Sequence, residues 1–451
     1  MESQQENKLG TQPVGRLLLS LALPAIAAQI INLLYNVIDR IYIGHIPEEG
    51  SLALTGLGVA FPVIVLIAAF AALVGFGGAP RASIAMGKKD NKGAEEIMGN
   101  CIVTLIALAA VLTVFFFFFA KPVLYAFGAS KDTIGYAYDY MRIYVLGTVF
   151  VLITTGLNAF ITSQGFATTA MKTVMIGAGL NLVLDPVFIF GFSMGVQGAA
   201  IATVLSQAVS AVWVMLFLSG KKTILKIRRE NLRIRLSVVG PVLALGVSPF
   251  IMQATESLLS VCFNTSLLKY GGDTAVGAMT ILSSVMQAAM MPIQGMSQGM
   301  TPIVSYNYGA KNYERVRKAF LMTLTACLAY TFLLWAAAMA APQFLAKIFT
   351  PDETLINYCR WAMRVYMAGT CIFGAQIACQ QTFVAMGKAV QSLFLAVLRK
   401  LILLIPLIYI LPTFIDNKVL AVFLAEPVSD VLAVLTTVIL FRATAWKLIK
   451  K

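Results

Sequence analysis

Apolar runs that are each long enough to cross a bilayer fill most of this sequence. A membrane-spanning helix needs about 20 consecutive, mostly apolar residues. Only 12% of the residues are charged, whereas a soluble domain carries about 25%. We therefore expect an all-α polytopic membrane protein. The twelve helices that the sequence predicts lie near 16–44, 53–82, 95–120, 133–162, 167–191, 197–219, 238–269, 274–305, 315–341, 354–384, 388–412 and 419–442.

The second half of the sequence repeats landmarks of the first half. The segment from Pro80 to Gly87 recurs 222 residues later as Pro302 to Gly309. With six helices in each half, both halves begin and end on the same side of the membrane. The copies are therefore parallel repeats, related about an axis along the membrane normal. We expect each copy to form a bundle of six helices.

Five segments follow from this division. They are an N-terminal tail 1–15, an N-lobe 16–219, a basic linker 220–237, a C-lobe 238–442 and a basic C-terminal tail 443–451.

Lysine and arginine predict the orientation in the membrane. The formal net charge is +14, and the basic residues occupy short gaps between apolar runs, most densely the linker. Loops on the other side carry acidic pairs such as Glu48 and Glu49. Cytoplasmic loops carry the excess of basic residues, so we expect a multi-pass protein of the inner (plasma) membrane with both termini cytoplasmic.

The same basic residues bear on the partners. Nucleic-acid binding needs basic residues gathered with exposed aromatic ones, and this pattern is absent from the sequence. We expect membrane lipids as partners and no nucleic acid. The linker either binds anionic lipid headgroups or serves as a topological anchor and tether.

The cysteine and histidine content argues against an enzyme. The six cysteines lie inside apolar segments without metal-ligand spacing, which indicates small packing residues. The single histidine, His45, falls in a predicted loop. An intramembrane serine protease needs a Ser–His pair and a metalloprotease needs a His–Glu motif, so one histidine supplies neither.

A channel is a further function class to consider. Rings of equivalent charged segments, which a channel would need, are not evident in the sequence.

Two acidic residues in the N-lobe lie at membrane depth, where a charged side chain is costly and invites a functional explanation. Asp39 follows Asn32 and Asn36 on nearly the same face of the first helix. Asp185 follows Asn181 by one turn in the fifth helix. A carboxyl in either setting is able to accept a proton or help to bind a cation. The alternatives are an ion pair of Asp39 with the next residue, and a structural hydrogen bond of Asp185 that braces the adjacent proline kink.

The C-lobe contains further ionisable residues at membrane depth. Glu256 has no basic residue within one helical turn in the sequence, and an unpaired buried glutamate is able to carry a proton near neutral pH. A partner from another helix would remove this property. Glu426 and Asp430 share one face of the last helix, and Arg399 and Lys400 lie midway along the helix before it. We predict a structural ion-pair cluster between these two helices.

Amide and methionine side chains are the candidates for a substrate surface. Methionine is flexible and polarisable, which suits the binding of varied apolar or aromatic ligands. Core or lipid-facing packing is the alternative for each individual methionine. The candidates are Gln29, Asn32, Asn36, Gln253, Met286, Gln287, Met290 and Met291.

Taken in order along the chain, four motifs resemble those of the bacterial multidrug and toxic compound extrusion (MATE) transporters. They are the segment from Val37 to Gly44, the segment from Asn181 to Pro186, the paired endings at Pro80 and Pro302, and Pro249 followed by Glu256. The resemblance covers nearly the whole chain.

The resemblance implies two six-helix bundles around a central cleft that opens alternately to either side. It implies a secondary active antiporter, a functional monomer, that exports cationic or amphipathic organic compounds in exchange for protons or sodium ions. Asp39, Asp185 and Asn181 then correspond to the N-lobe acids of proton coupling or to a Na⁺ site, and no other metal or cofactor is expected. Glu256 corresponds to the helix 7 acid of the sodium-coupled group, whose helix 10 acid is missing between 371 and 381.

The alternative function is a flippase for lipid-linked saccharides from the same superfamily. Such a protein is expected to have a cationic cavity that binds pyrophosphate. The basic candidates at membrane depth are few, chiefly Arg399 and Lys400, while carboxylates dominate the first half.

Overall fold

The computed structural model describes residues 8–450, and all its regular elements are helices. Residues 1–7 of the predicted N-terminal tail, and Lys451 of the C-terminal one, lie outside the described residues. The N-lobe helices are α1 (Val14–Gly44), α2 (Gly50–Gly87), α3 (Asn91–Ala126), α4 (Ile134–Leu146 and Thr148–Ser163), α5 (Ala167–Pro186, continued by a π-helical turn Val187–Gly191) and α6 (Gly195–Ser219).

The C-lobe follows the same plan. Its helices are α7 and α8 (236–271 and 273–309 within the continuous run Leu236–Gly309), α9 (Tyr313–Ala340), α10 (Glu353–Tyr366 and Thr370–Ala385), α11 (Ala389–Val397, the π-helical Leu398–Leu404 and Ile405–Phe414) and α12 (Lys418–Ala443). Short helices Lys8–Thr11, Pro342–Lys347 and Ala445–Ile449 lie outside these spans, as does a 3₁₀ turn, Arg229–Asn231.

A single glycine separates α7 from α8. Gly272 has φ 66° and ψ −165°, a conformation that L side chains rarely adopt. An unbroken helix of 74 residues would be about 110 Å long, far more than the roughly 30 Å of a bilayer core. The run therefore consists of two spans that meet end to end at Gly272.

The count of twelve spans is confirmed within residues 8–450. Nine helices are long and apolar enough to cross a membrane, and the α4 pair, bent by 59°, makes a tenth. Dividing the run at Gly272 adds one span. The broken helix α10, the repeat counterpart of α4, adds the twelfth.

The repeat extends to the breaks within helices. The second segments of α4 and α10, Thr148–Ser163 and Thr370–Ala385, begin and end 222 residues apart. Each is preceded by a glycine, Gly147 or Gly369, where an added Cβ would meet the last helix of its own lobe. Close packing against α6 or α12 thus explains both interruptions, at positions where the sequence predicts continuous helices.

The two lobes meet along a seam of α1 and α2 against α7 and α8. Across this seam glycines allow backbone to touch backbone: a Cβ added at Gly87 would collide with the carbonyl of Tyr306, and one at Gly309 with that of Ile84. Gly299 packs in the same way against Ala22. These contacts lie where α1 begins and α8 ends, on the side of the chain termini and the linker.

The N-terminal segment crosses the seam on that side. The carbonyl of Leu9 accepts hydrogen bonds from Asn307 Nδ2 at 2.9 Å and Arg315 Nη2 at 3.1 Å, both in the C-lobe. Its side chain is buried and lies beside Gly165 of the N-lobe. This short segment therefore covers the closed end of the seam.

The basic linker is fixed to the N-lobe. Gln164 Oε1 accepts hydrogen bonds from the backbone of Ile224 and Leu225, each at 2.8 Å. The backbone N–H of Arg235 donates to Asn100 Oδ1 at 2.7 Å, and its guanidinium pairs with Glu96. These contacts make the linker a tether that is docked along its length.

We predict that Gly309→Val opens the seam. The new side chain overlaps the carbonyl of Ile84, and overpacking of about 1–3 kcal/mol raises the open population about fivefold or more. Ser83, which is buried and donates to the carbonyl of Pro302 across the seam, is replaced by cysteine as the reporter. The rate at which a membrane-impermeant maleimide labels Cys at this position should rise accordingly.

The matched control is Gly179→Val, because a Cβ at Gly179 meets no atom within 4 Å. Equal labelling in Gly309→Val and Gly179→Val would contradict the glycine-mediated seam.

Candidate functional site

A cavity of about 1540 Å³ lies between the lobes. Pro80 and Pro302 line its end at the seam, where Ser83 Oγ donates to the carbonyl of Pro302 at 3.4 Å. Phe127 and Gly128, which follow α3, line its other end. The cavity is thus closed on the side of the termini and reaches toward the opposite side.

Uncharged polar side chains provide most of the polar lining, with seventeen serines and threonines and thirteen amides. The amides lining the cavity are Gln29, Asn32, Asn158, Asn181, Gln207, Gln253, Asn264, Gln287, Gln294, Gln298, Gln376, Gln380 and Gln381. An amide can donate and accept hydrogen bonds without carrying charge, so such a wall accommodates ligands of varied polarity.

Most of the predicted substrate residues face this cavity. Six line it: Gln29, Asn32, Gln253, Met286, Gln287 and Met290. Asn36 and Met291 are not among the lining residues, and Asn36 instead donates to the carbonyl of Asn32 at 2.7 Å. Further amides line the cavity without having been predicted, among them Asn158 and the pair Gln376 and Gln380, which lie one turn apart on α10. Their only sequence signal is an amide inside an apolar run.

The two N-lobe acids lie together behind the cavity wall. Asp39 and Asp185 are both buried, and their carboxyl groups are close enough for their charges to interact. Asn181 Nδ2 donates to Asp185 Oδ1 at 3.1 Å and to Thr203 Oγ1 at 3.3 Å. Asn181 and Thr203 line the cavity, whereas the acids do not, so they separate the acids from it.

This acid pair keeps unused acceptor atoms. Within the described chain, Asp39 Oδ1 and Asp185 Oδ2 are buried and have no hydrogen-bond partner. Arg40 forms no ion pair with Asp39 there, and its guanidinium lies 4.8 Å from the ring centre of Phe61. Unpartnered carboxyl oxygens in a buried position are suited to receive a proton or a small cation.

The local sequence explains where Asp185 lies. Pro186 cannot donate a backbone hydrogen bond, and the helix changes to π geometry at Val187, immediately after it. Such π turns are frequent at functional sites. The described residues contain no group of three or more His, Cys, Asp or Glu side chains arranged to hold a metal ion.

The acidic and basic lining residues lie on the C-lobe wall. Arg399 Nε donates to Asp430 Oδ1 and Arg399 Nη2 to Glu426 Oε1, each at 3.0 Å. Its guanidinium also lies 4.4 Å from the ring centre of Phe373. The predicted ion-pair cluster between α11 and α12 is therefore present for Arg399, Glu426 and Asp430, but Lys400 pairs with Glu256 of α7 instead.

Glu256 has a partner that the sequence does not reveal. Lys400, which is 144 residues away, donates to the Glu256 carboxylate and to the carbonyl of Met252 at 2.7 Å. Both Arg399 and Lys400 belong to the π-helical part of α11. The expectation of an unpaired Glu256 is therefore wrong, because pairing between helices cannot be seen within one helical turn of sequence.

Comparisons with known proteins agree with this architecture. The MatE family model matches residues 24–187 and 249–410. The chain is 21% identical over 435 residues to the multidrug export protein MepA of Staphylococcus haemolyticus (strain JCSC1435), covering 96% of this chain and 95% of the relative. It is 21% identical over 444 residues to MepA of Staphylococcus aureus (strain NCTC 8325 / PS 47), covering 98% and 97%.

Two solved structures share the fold. One is a multidrug resistance MATE family transporter of the MOP superfamily in an outward-facing conformation, with a TM-score of 0.92, 22% identity and 99% coverage of both chains. The other is a MOP superfamily transporter from Pyrococcus furiosus Vc1 (DSM3638), described by the reverse polarity of its binding pocket, with a TM-score of 0.91, 23% identity and full coverage of both chains.

We predict that Arg399→Met destabilises the protein by about 3–5 kcal/mol, because it leaves Glu426 and Asp430 buried without their cation. The free energy of unfolding in detergent micelles measures the change. Arg142→Met, at an exposed arginine, should stay within about 0.5 kcal/mol of the parent. Similar losses in the two variants would argue against the cluster as a stabilising element.

Proposed function

The chain belongs to the MatE family, and from this membership we propose that it exports cationic or amphipathic organic compounds in exchange for protons. The family match spans the cores of both lobes. The relatives that match nearly end to end are named multidrug export proteins. We infer a secondary active antiporter that works as a monomer in the inner (plasma) membrane, with both termini cytoplasmic.

The buried acid pair in the N-lobe is the observation that supports ion coupling. Asp39 and Asp185 lie behind residues that line the cavity, and each has an oxygen that accepts no hydrogen bond from any described residue. Protonation of either acid removes negative charge from beside the substrate cavity. The same pair thus links the protonation state to the affinity for a cationic substrate.

The size and lining of the cavity support varied organic substrates. Its volume of about 1540 Å³ exceeds the roughly 300–1000 Å³ of ordinary ligand pockets. Its lining includes five flexible methionines and thirteen uncharged amides, so ligands of different shapes find apolar contact and hydrogen bonds. Such a cavity favours breadth over selectivity.

Antiport then follows from reciprocal linkage. Ionised Asp39 and Asp185 favour the substrate-loaded state, and their protonation from the side to which the cavity opens weakens substrate binding. With cytoplasmic termini, the closed seam is cytoplasmic and this conformation faces outward. Substrate release and seam opening return the transporter to the inward-facing state.

A sodium ion is the alternative coupling ion at the same place. In this alternative, the Asn181 carbonyl oxygen would bind Na⁺ together with oxygens of Asp39 and Asp185, while the Asn181 nitrogen keeps its two acceptors. The flippase alternative is less well supported. Arg399 and Lys400 line the cavity, yet both are held in ion pairs and leave little positive charge for a pyrophosphate.

We predict that Asp39→Asn and Asp185→Asn each lower proton-driven efflux by about tenfold or more, because an amide cannot take up the coupling proton. The measurement is movement of a fluorescent cationic dye in proteoliposomes with independently imposed pH and sodium gradients. Asp132→Asn, at an exposed acid of the same lobe, should retain full activity.

Full proton-driven efflux in both Asp39→Asn and Asp185→Asn would contradict the proton-coupling model. Dye movement driven by a sodium gradient alone would identify sodium as the coupling ion. Movement of a lipid-linked sugar, with no dye movement under either gradient, would support the flippase.

A further inference from the structure

One carboxylate of the cavity is open to a ligand, whereas the other acidic and basic side chains are not. Among the described lining residues, the Glu256 side chain is 66% exposed. The side chains of Arg399, Lys400 and Glu426 are 13%, 4% and 7% exposed. A charged ligand in the cavity therefore meets Glu256 before any of these three groups.

The buried Lys400 forms an ion pair with the Glu256 carboxylate. Its ammonium group is fixed by two acceptors, Glu256 and the carbonyl of Met252. The neighbouring Arg399 is engaged with Glu426 and Asp430 on the other side. Among the described residues, Lys400 is thus the one cation that forms an ion pair with Glu256.

We propose that Glu256 binds the cationic group of the substrate and that Lys400 is a tethered cation that competes for the same carboxylate. The proposal rests on the proposed function and names the ligand class of its C-lobe wall, a lipophilic organic monocation. Lys400 neutralises Glu256 when the cavity is empty. An incoming cation must share or displace this partner, which lowers its affinity and speeds its release.

The geometry indicates that the relevant variants will fold. Removal of Lys400 leaves Glu256 charged, but this side chain is already exposed and stays hydrated. Glu256→Gln keeps a carbonyl oxygen that accepts from Lys400. Lys400→Gln keeps an NH₂ group that donates to the carbonyl of Met252, and it serves as the second variant if Lys400→Met is not monodisperse.

The test is equilibrium binding of ethidium, a monocation, to the purified full-length protein in nanodiscs, followed by fluorescence anisotropy. Lys400→Met and Lys400→Gln should bind about tenfold more tightly, and Glu256→Gln about tenfold more weakly, in line with one charge-assisted contact. In the Glu256→Gln background, the gain from Lys400→Met should be several times smaller, because only the direct repulsion between the lysine and ethidium is then removed. Binding of N-phenyl-1-naphthylamine, a neutral probe, should not change.

The matched control is Lys172→Met, an exposed lysine outside the cavity whose loss changes the net charge equally. Unchanged or weaker ethidium binding in Lys400→Met would overturn the proposal. An equally large gain without Glu256, or one that Lys172→Met reproduces, would overturn it as well. Proton-driven dye efflux by the parent protein distinguishes failure of this inference from failure of the proposed function. If the parent transports dye but the Lys400 variants bind ethidium no more tightly, only this inference is refuted. If the parent neither binds ethidium nor transports dye, the proposed function is refuted too.

Discussion

The close approach of backbones across the seam is the contact on which the rest of the structure depends. Helices α2 and α8 touch through Gly87 and Gly309, and α1 touches α8 through Gly299, all on the side of the termini. Small residues let helices approach closely in lipid, where no hydrophobic driving force holds them together. These contacts hold the two lobes together at one end, and the lobes are separated at the other end. The cavity between the lobes exists because the lobes meet at one end only.

The two lobes share a scaffold but not a charge pattern. Among the described residues, the buried N-lobe acids Asp39 and Asp185 form no ion pair, whereas the C-lobe acids are paired with Arg399 and Lys400. The residue 222 positions after Asp185 is Leu407, so the repeat does not carry the acid. The two halves thus form similar bundles whose ionisable side chains differ. The N-lobe is the bundle proposed to exchange ions, and the C-lobe is the bundle whose Glu256 faces the cavity.

Much of the fold could be predicted because the bilayer imposes a fixed length and a uniform apolar surface on each span. The repeat and the acids of the N-lobe were visible for related reasons: the landmarks recur at one spacing, and a charge inside an apolar run is conspicuous. The pairing of Glu256 with Lys400 was not predictable, because it joins residues 144 positions apart. The interruptions before Thr148 and Thr370 also escaped prediction, since they depend on how closely neighbouring helices pack.

The docked linker has a mechanical consequence. Arg235 is bound to α3 of the N-lobe immediately before α7 of the C-lobe begins. The first residue of α7 is therefore held at a fixed position on the N-lobe. The span 236–271 is about 50 Å long at 1.5 Å per residue. A rotation of this helix by about 10° about its fixed first residue moves its far end by about 9 Å. A small tilt of α7 near the linker therefore produces a large displacement at the far end of the C-lobe.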